Sequence, residues 1–352
     1  MEKLLPKHNE TDNENIPMLN DGPSELPLRS FTPDQMVRCE SCLRANPPTR
    51  VNCLYCAAAL PVQSANIVLQ KPALRPLEKW EQGYNNILLP PAANLTESCL
   101  AEAADFLRLE TDELQRIVAS NMPLPLARSS SKEEAELIQR HLRTAELTSL
   151  IVADASLGVD PPIKLRALEF HDQGLRAYQS PQAQPQEISW DDFVLIVSGR
   201  ITRKRVELQE ETKRSENRVL AADQFFADES VIEIFVKNRT TPYRIASGSF
   251  DFSCLAERKR LVAAENLSIL IEVFRERVPG IVYDQSYNAV RKTLEPVWRS
   301  EQQNESTGWR RDRPGKYSLG SATETSNESQ FSRYSRLRFY LLTQQQLTDI
   351  DA

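Results

Sequence analysis

The sequence predicts an α+β, multidomain protein. Three observations carry this. Its 352 residues are 40% apolar, more chain than one core usually holds, which suits two or three domains. The apolar residues change period along the chain, helical between residues 95 and 155 and strand-like beyond 162. Ahead of both regions, four of the six cysteines sit in two CxxC pairs.

Composition removes several function classes. The net charge is −6, so the whole molecule is not built to coat nucleic acid or anionic lipid, and such binding needs a local basic patch. No run of 18 apolar residues occurs, so no membrane-spanning helix is expected. Met1 to Asn20 has no apolar stretch of the secretory type. Paired cysteines, with Cys99 and Cys254 isolated, point to metal binding in a reducing compartment rather than a disulfide framework. The expected location is the cytoplasm.

Residues 1–35 are polar, without apolar period, and read as a disordered tail. The cysteine module occupies 36–61. A Pro-rich linker is expected over 62–94. Residues 95–158 read as a small α/β unit. Thr96 caps a helix carrying Leu100, Ala103, Ala104 and Leu107 on one face. A second helix after Thr111 carries Leu114, Ile117 and Val118, followed by an extended run, Leu124–Arg128. Ser130 and Glu133 have capping-box spacing before a helix with Ala135, Ile138, Leu142 and Ala145 inward. Leu150–Ala153 is the closing strand.

Residues 162–280 read as a β domain with a terminal helix. Leu165–Phe170 and Leu175–Tyr178 form a hairpin turning at Gly174. Ile188–Val197 is a longer buried strand, with Trp190 in the core. Arg203–Glu211 alternates Val206 and Leu208 with charges, so one face is solvated. Strands follow at Val231–Val236 and Tyr243–Ala246. Leu267, Leu270, Ile271, Phe274 and Val278 then mark a helix that Pro279-Gly280 stops. The extension, 281–352, is expected to be partly disordered. It carries short helices at Tyr287–Leu294 and Ser332–Thr343, and a loop or disordered stretch over 300–330.

The sharpest motif is Cys39-x2-Cys42-x10-Cys53-x2-Cys56. Zinc takes four soft ligands in a tetrahedron, and each CxxC turn presents two sulfurs. Four thiolates leave no position for water, so one structural Zn2+ is expected, not a catalytic one. A module of about 25 residues cannot bury enough core to fold alone, so metal binding supplies its folding free energy.

The strings Arg38-Cys-Glu-Ser-Cys-Leu-Arg-Ala-Asn-Pro-Pro48 and Asn52-Cys-Leu-Tyr-Cys-Ala-Ala-Ala-Leu60 resemble the short zinc ribbon of many bacterial proteins. That family usually has Gly after each CxxC; Leu43 and Ala57 stand there. The spacing also resembles the Ran-binding-protein type of zinc finger, whose members bind single-stranded RNA or ubiquitin; its Trp position before the first Cys holds Val37. Asp112–Val118, Met122–Pro125 and Ser131–Ile138, with the strand ending near Val152, resemble the ribosomal-stalk C-terminal domain and the ClpS adaptor fold. Gly174–Tyr178, Ile188–Phe193 and the helix from Ala264 resemble bacterial PH-like domains, a bent antiparallel sheet with a C-terminal helix. These resemblances imply protein recruitment or scaffolding.

No phosphate-binding glycine loop, HExxH, GxSxG or EF-hand string occurs. The three histidines, His8, His141 and His171, are tied to no nucleophile. The reading is therefore a zinc-stabilised cytoplasmic adaptor or scaffold that binds proteins, not an enzyme. The alternative is a nucleic-acid- or ribosome-associated protein binding single-stranded RNA. It would use the ribbon and a C-terminal segment mixing cations with aromatics: Arg310, Arg311, Arg313, Arg333 and Arg336. Between Arg299 and Leu342 eight Lys/Arg stand against five Asp/Glu, an excess of only three.

Overall fold

The computed structural model describes residues 31–61, 72–78, 80–90, 95–158, 160–213, 216–313 and 316–350. The expected tail lies outside the described residues up to residue 30. Its last residues are ordered, with Pro33–Gln35 forming one 3-10 turn whose start Thr32 and Gln35 close reciprocally. Two-residue strands β1 (Val37–Arg38) and β2 (Ala45–Asn46) then pair antiparallel around the first CxxC.

The α/β unit begins earlier than its helical periodicity indicates. Strand β3 (Tyr84–Leu88) falls inside the stretch read as linker, which corrects that reading. Then come α1 (Glu97–Leu107), α2 (Thr111–Ala119), β4 (Leu124–Ser129), α3 (Lys132–Thr144), β5 (Ser149–Ala153) and a single turn, α4 (Asp154–Leu157). The sheet order is β4-β3-β5, with β3 central and antiparallel to both neighbours. Two asparagines hid this strand, because Asn85 and Asn86 are fully buried polar residues in a central position. Their amides are paired: Asn85 Nδ2 donates to the Val152 carbonyl (3.1 Å) and to Asp154 (2.8 Å), and Asn86 Nδ2 to the Ala135 carbonyl (2.9 Å). Thr96 caps α1 as predicted, its hydroxyl accepting from Cys99 N–H. The cap of α3 is Ser131, not Ser130; its hydroxyl accepts from Glu134 N–H.

The β domain contains β6 (Ile163–Lys164), β7 (Ala167–Phe170), β8 (Gly174–Tyr178), β9 (Gln186–Ser189), β10 (Phe193–Lys213), β11 (Glu216–Val236), β12 (Tyr243–Ala246) and α5 (Ala263–Arg277). Strands β7-β8-β9 form one antiparallel sheet. A 3-10 turn at Trp190–Asp192 separates β9 from β10, so the single strand expected at Ile188–Val197 is two. Trp190 is buried against Phe193 and Phe274, with its indole N–H on the His171 carbonyl (3.0 Å). Helix α5 covers this core with Leu267, Leu270, Ile271 and Phe274.

The C-terminal segment departs most from expectation. It forms β13 (Val282–Asp284), α6 (Tyr287–Leu294), β14 (Glu301–Arg313), β15 (Lys316–Ser326) and α7 (Glu328–Ile350). The stretch read as loop or disorder is thus a hairpin, and the last helix is longer than its predicted Ser332–Thr343. Polar composition misled because β15 gains its partner from far away, pairing antiparallel with β10 from Arg203↔Ser326 to Glu211↔Ser318. The larger sheet runs β14-β15-β10-β11-β12-β6, with β13 parallel to β10. Beyond the body, β14, β15, β10 and β11 continue as a four-stranded arm. Its strands run about 10 residues past Arg203, roughly 35 Å, so the arm is long for its width.

Helix α7 is the mortar. Phe331, Tyr334 and Leu337 are fully buried in one core with Tyr287 and Trp298, the α/β helices and the inner face of β10 and β11. Gly199 on β10 admits this contact: a Cβ there would stand 2.6 Å from the Phe331 ring and 2.8 Å from Tyr287. Buried Arg244 and Glu233 pair at 2.5 Å, and Arg244 also reaches Glu328 and Ser332 on α7. Ser335 donates to Glu233. Among the described residues no helix is long and apolar enough to cross a membrane.

Candidate metal centre

Each CxxC forms a tight turn. Leu43 N–H donates to the Cys39 carbonyl (2.8 Å) and Cys39 N–H to the Arg44 carbonyl (3.0 Å). The second turn repeats this, Ala57 N–H to Cys53 (3.0 Å) and Cys53 N–H to Ala58 (2.8 Å). Both turns need a left-handed residue where the ribbon family places Gly. Leu43 and Ala57 adopt it, at φ 61° and 59°. The knuckle geometry therefore survives the substitutions, at a steric cost of about 1–2 kcal/mol each.

The two turns face one another. Cys39 Sγ lies 3.6 Å from Cys56 Sγ, and Cys42 Sγ 3.5 Å from Cys53 Sγ. All four sulfurs lie within 4.8 Å of one another. A disulfide would need about 2.05 Å. A tetrahedron of sulfurs about 2.3 Å from a central ion has edges of about 3.8 Å, close to the separations seen. Cys39, Cys42, Cys53 and Cys56 can hold a metal ion between them.

The surroundings favour thiolate at Cys53. Cys53 Sγ accepts from Asn46 Nδ2 and Tyr55 N–H, both at 3.4 Å. Burial pushes the Cys53 thiol up, but these bonds, with the Cys56 backbone N–H, outweigh it and hold it at about 6. At Cys56 the Ala58 backbone N–H pulls down, while burial and the three other sulfurs outweigh it and raise the thiol to about 12. Four thiols this close cannot all ionise without a cation among them. Asn46 is the residue whose role the sequence left unread. Its Oδ1 accepts Leu54 N–H (2.8 Å) and its Nδ2 also reaches the Arg44 carbonyl (3.0 Å), so one side chain ties the two knuckles together. The Asn-Pro after the first pair was its only signal.

The arginines proposed for nucleic acid stand on two separate elements. Arg310, Arg311 and Arg313 lie toward the far end of β14, and Arg333 and Arg336 lie on α7. From Glu301 at the base of the hairpin, these three positions are about 30–40 Å along the strand. Arg336 is buried and donates to the carbonyls of Gly158 and Asp160, holding the end of the α/β unit to α7. His141 is buried and stacked on Phe106, centroids 3.6 Å apart. His171 sits 3.8 Å from Glu169 at the surface turn.

Comparison of the chain with family models, with curated proteins and with solved structures finds no match.

Proposed function

We propose that the protein is a zinc-stabilised cytoplasmic adaptor or scaffold that binds other proteins and carries out no catalysis. Zinc is the ion that best suits four thiolates in a closed tetrahedron with no position left for water. The ribbon then has a structural role. On this reading the α/β unit is stalk- or ClpS-like and the β domain PH-like, both recognition architectures.

The observation that carries the reading is the arm. Phe225 and Phe226 on β11 are 56% and 66% exposed, adjacent, and therefore on opposite faces of the strand. Around them, Asp223 to Asp228 are exposed throughout. Large aromatics held in water on a rigid strand favour a protein partner over an independent role. Affinity purification of the full-length chain is expected to recover a protein partner that a Phe225→Ser/Phe226→Ser variant of equal melting temperature loses. No stable partner, together with a measured turnover on a substrate, overturns the reading.

A further inference from the structure

A cleft of about 920 Å3 opens between the α/β unit and the C-terminal segment. One wall is apolar, with Leu107, Leu126 and Val297 among its residues. The other sets six cations against four carboxylates, and three of the cations are already used. Arg75 pairs with Glu81 at 2.5 Å. Arg108 donates to the Pro72 and Ala73 carbonyls. Arg128 is held by Asp154 at 2.5 Å and by the Glu81 carbonyl at 2.9 Å.

Arg333 is different. It projects from α7 into this cleft, only partly exposed, and among the described residues no hydrogen bond or ion pair reaches its guanidinium. Burial first, then the positive Arg128, push it below the usual guanidinium range, against the pull of Asp154 and Glu301. Neighbouring carboxylates have other duties: Glu295 accepts from Ser300 and Gln330, and Glu113 from Glu110 N–H. Arg299, also lining the cleft, is exposed at its rim. A half-desolvated cation beside an apolar wall, in a space of ligand size, has carboxylates near it but none paired with it.

We propose that this cleft binds a small organic anion, a carboxylate or phosphate monoester on an apolar body, with Arg333 as its principal charge partner and Arg299 at the mouth. The apolar body lies against Leu77, Leu109 and Val297, half-exposed apolar residues of the lining. This does not depend on the metal centre or on the arm.

The test is calorimetric titration of the full-length chain with octanoate, octyl phosphate, octanol and inorganic phosphate. Octanoate or octyl phosphate is expected to bind one site per chain, at least tenfold tighter than octanol or inorganic phosphate. Whichever of the two binds tighter identifies the head group. Arg333→Gln is expected to weaken that binding at least tenfold while melting no lower than the parent, because it removes an uncompensated charge. Arg333→Lys, which keeps the charge, is expected to retain most of it. Equal binding by Arg333→Gln overturns the proposal, as does inorganic phosphate binding as tightly as the octyl compounds. If Arg333→Gln melts lower, loss of binding in it does not count, and Arg333→Lys decides: binding within a few-fold of the parent supports the site, and tenfold loss overturns it.

Discussion

The ribbon and the body of this molecule are held together in opposite ways. The ribbon buries only Val37, Cys39, Cys53 and Leu60 as its cluster, and its contacts close over short chain separations. Its one strong device is four sulfurs arranged for an ion. The body relies on contacts between residues far apart in sequence. Trp298 is fully buried and donates its indole N–H to Asn85 at 2.9 Å, across 213 positions of chain. In the first region the contacts are local, and four sulfurs stand where an ion could join them. In the second, stability is spread over packing that no single segment owns.

The largest expected effect is on the ribbon. Cys53→Ser, or a chelator, should remove the metal and with it roughly 10 kcal/mol or more of apparent folding free energy, unfolding residues 37–60 alone. Elemental analysis and hydrogen exchange check this. Close to one zinc per chain is expected in the parent and none in the variant, with protection in the body unchanged. Loss of protection in the body would break the comparison.

Trp298→Ala is the converse. It leaves a cavity and an unpaired buried Asn85 Oδ1, and should cost the body about 3–5 kcal/mol. Denaturant unfolding should show both core regions melting together at lower denaturant, while zinc content stays at the parent level. Separate melting of the α/β unit and the β domain would show that the C-terminal segment does not join them.

The smallest effect sharpens the account of the knuckles. Ala57→Gly removes the left-handed strain at φ 59° and should tighten metal binding by about 1 kcal/mol, roughly fivefold, less what the looser unfolded chain takes back. Competition with a chromophoric chelator measures it. Weaker binding in the variant would mean that the strain is absent.

Much of this was legible along the chain. Helices α1, α2, α5 and α6 follow their apolar spacing within a residue or two, because each has one buried face and a local stop or cap. The cluster of four cysteines was legible from spacing alone. Strand β3 was not, since its central asparagines donate their Nδ2 groups to Val152, Asp154 and Ala135, which no local pattern reveals. The hairpin β14–β15 was not either, because Ser, Thr, Asn and Gln accept a strand only once β10 offers its edge.

What the sequence determined by itself is the chemistry that acts over a few residues: the sulfur pairs, the turns that present them, and the helices with a buried stripe. What only the tertiary structure decided is which distant groups meet. It placed Asn46 on Cys53, spent Arg336 on the Gly158 and Asp160 carbonyls, and left Arg333 in a cleft with no hydrogen bond or ion pair among the described residues. Arg333 and Arg336 are identical in type and three residues apart on one helix. Residues three apart lie on nearly the same face of a helix, one turn along it, so their different fates are set by what chain far away packs against each turn.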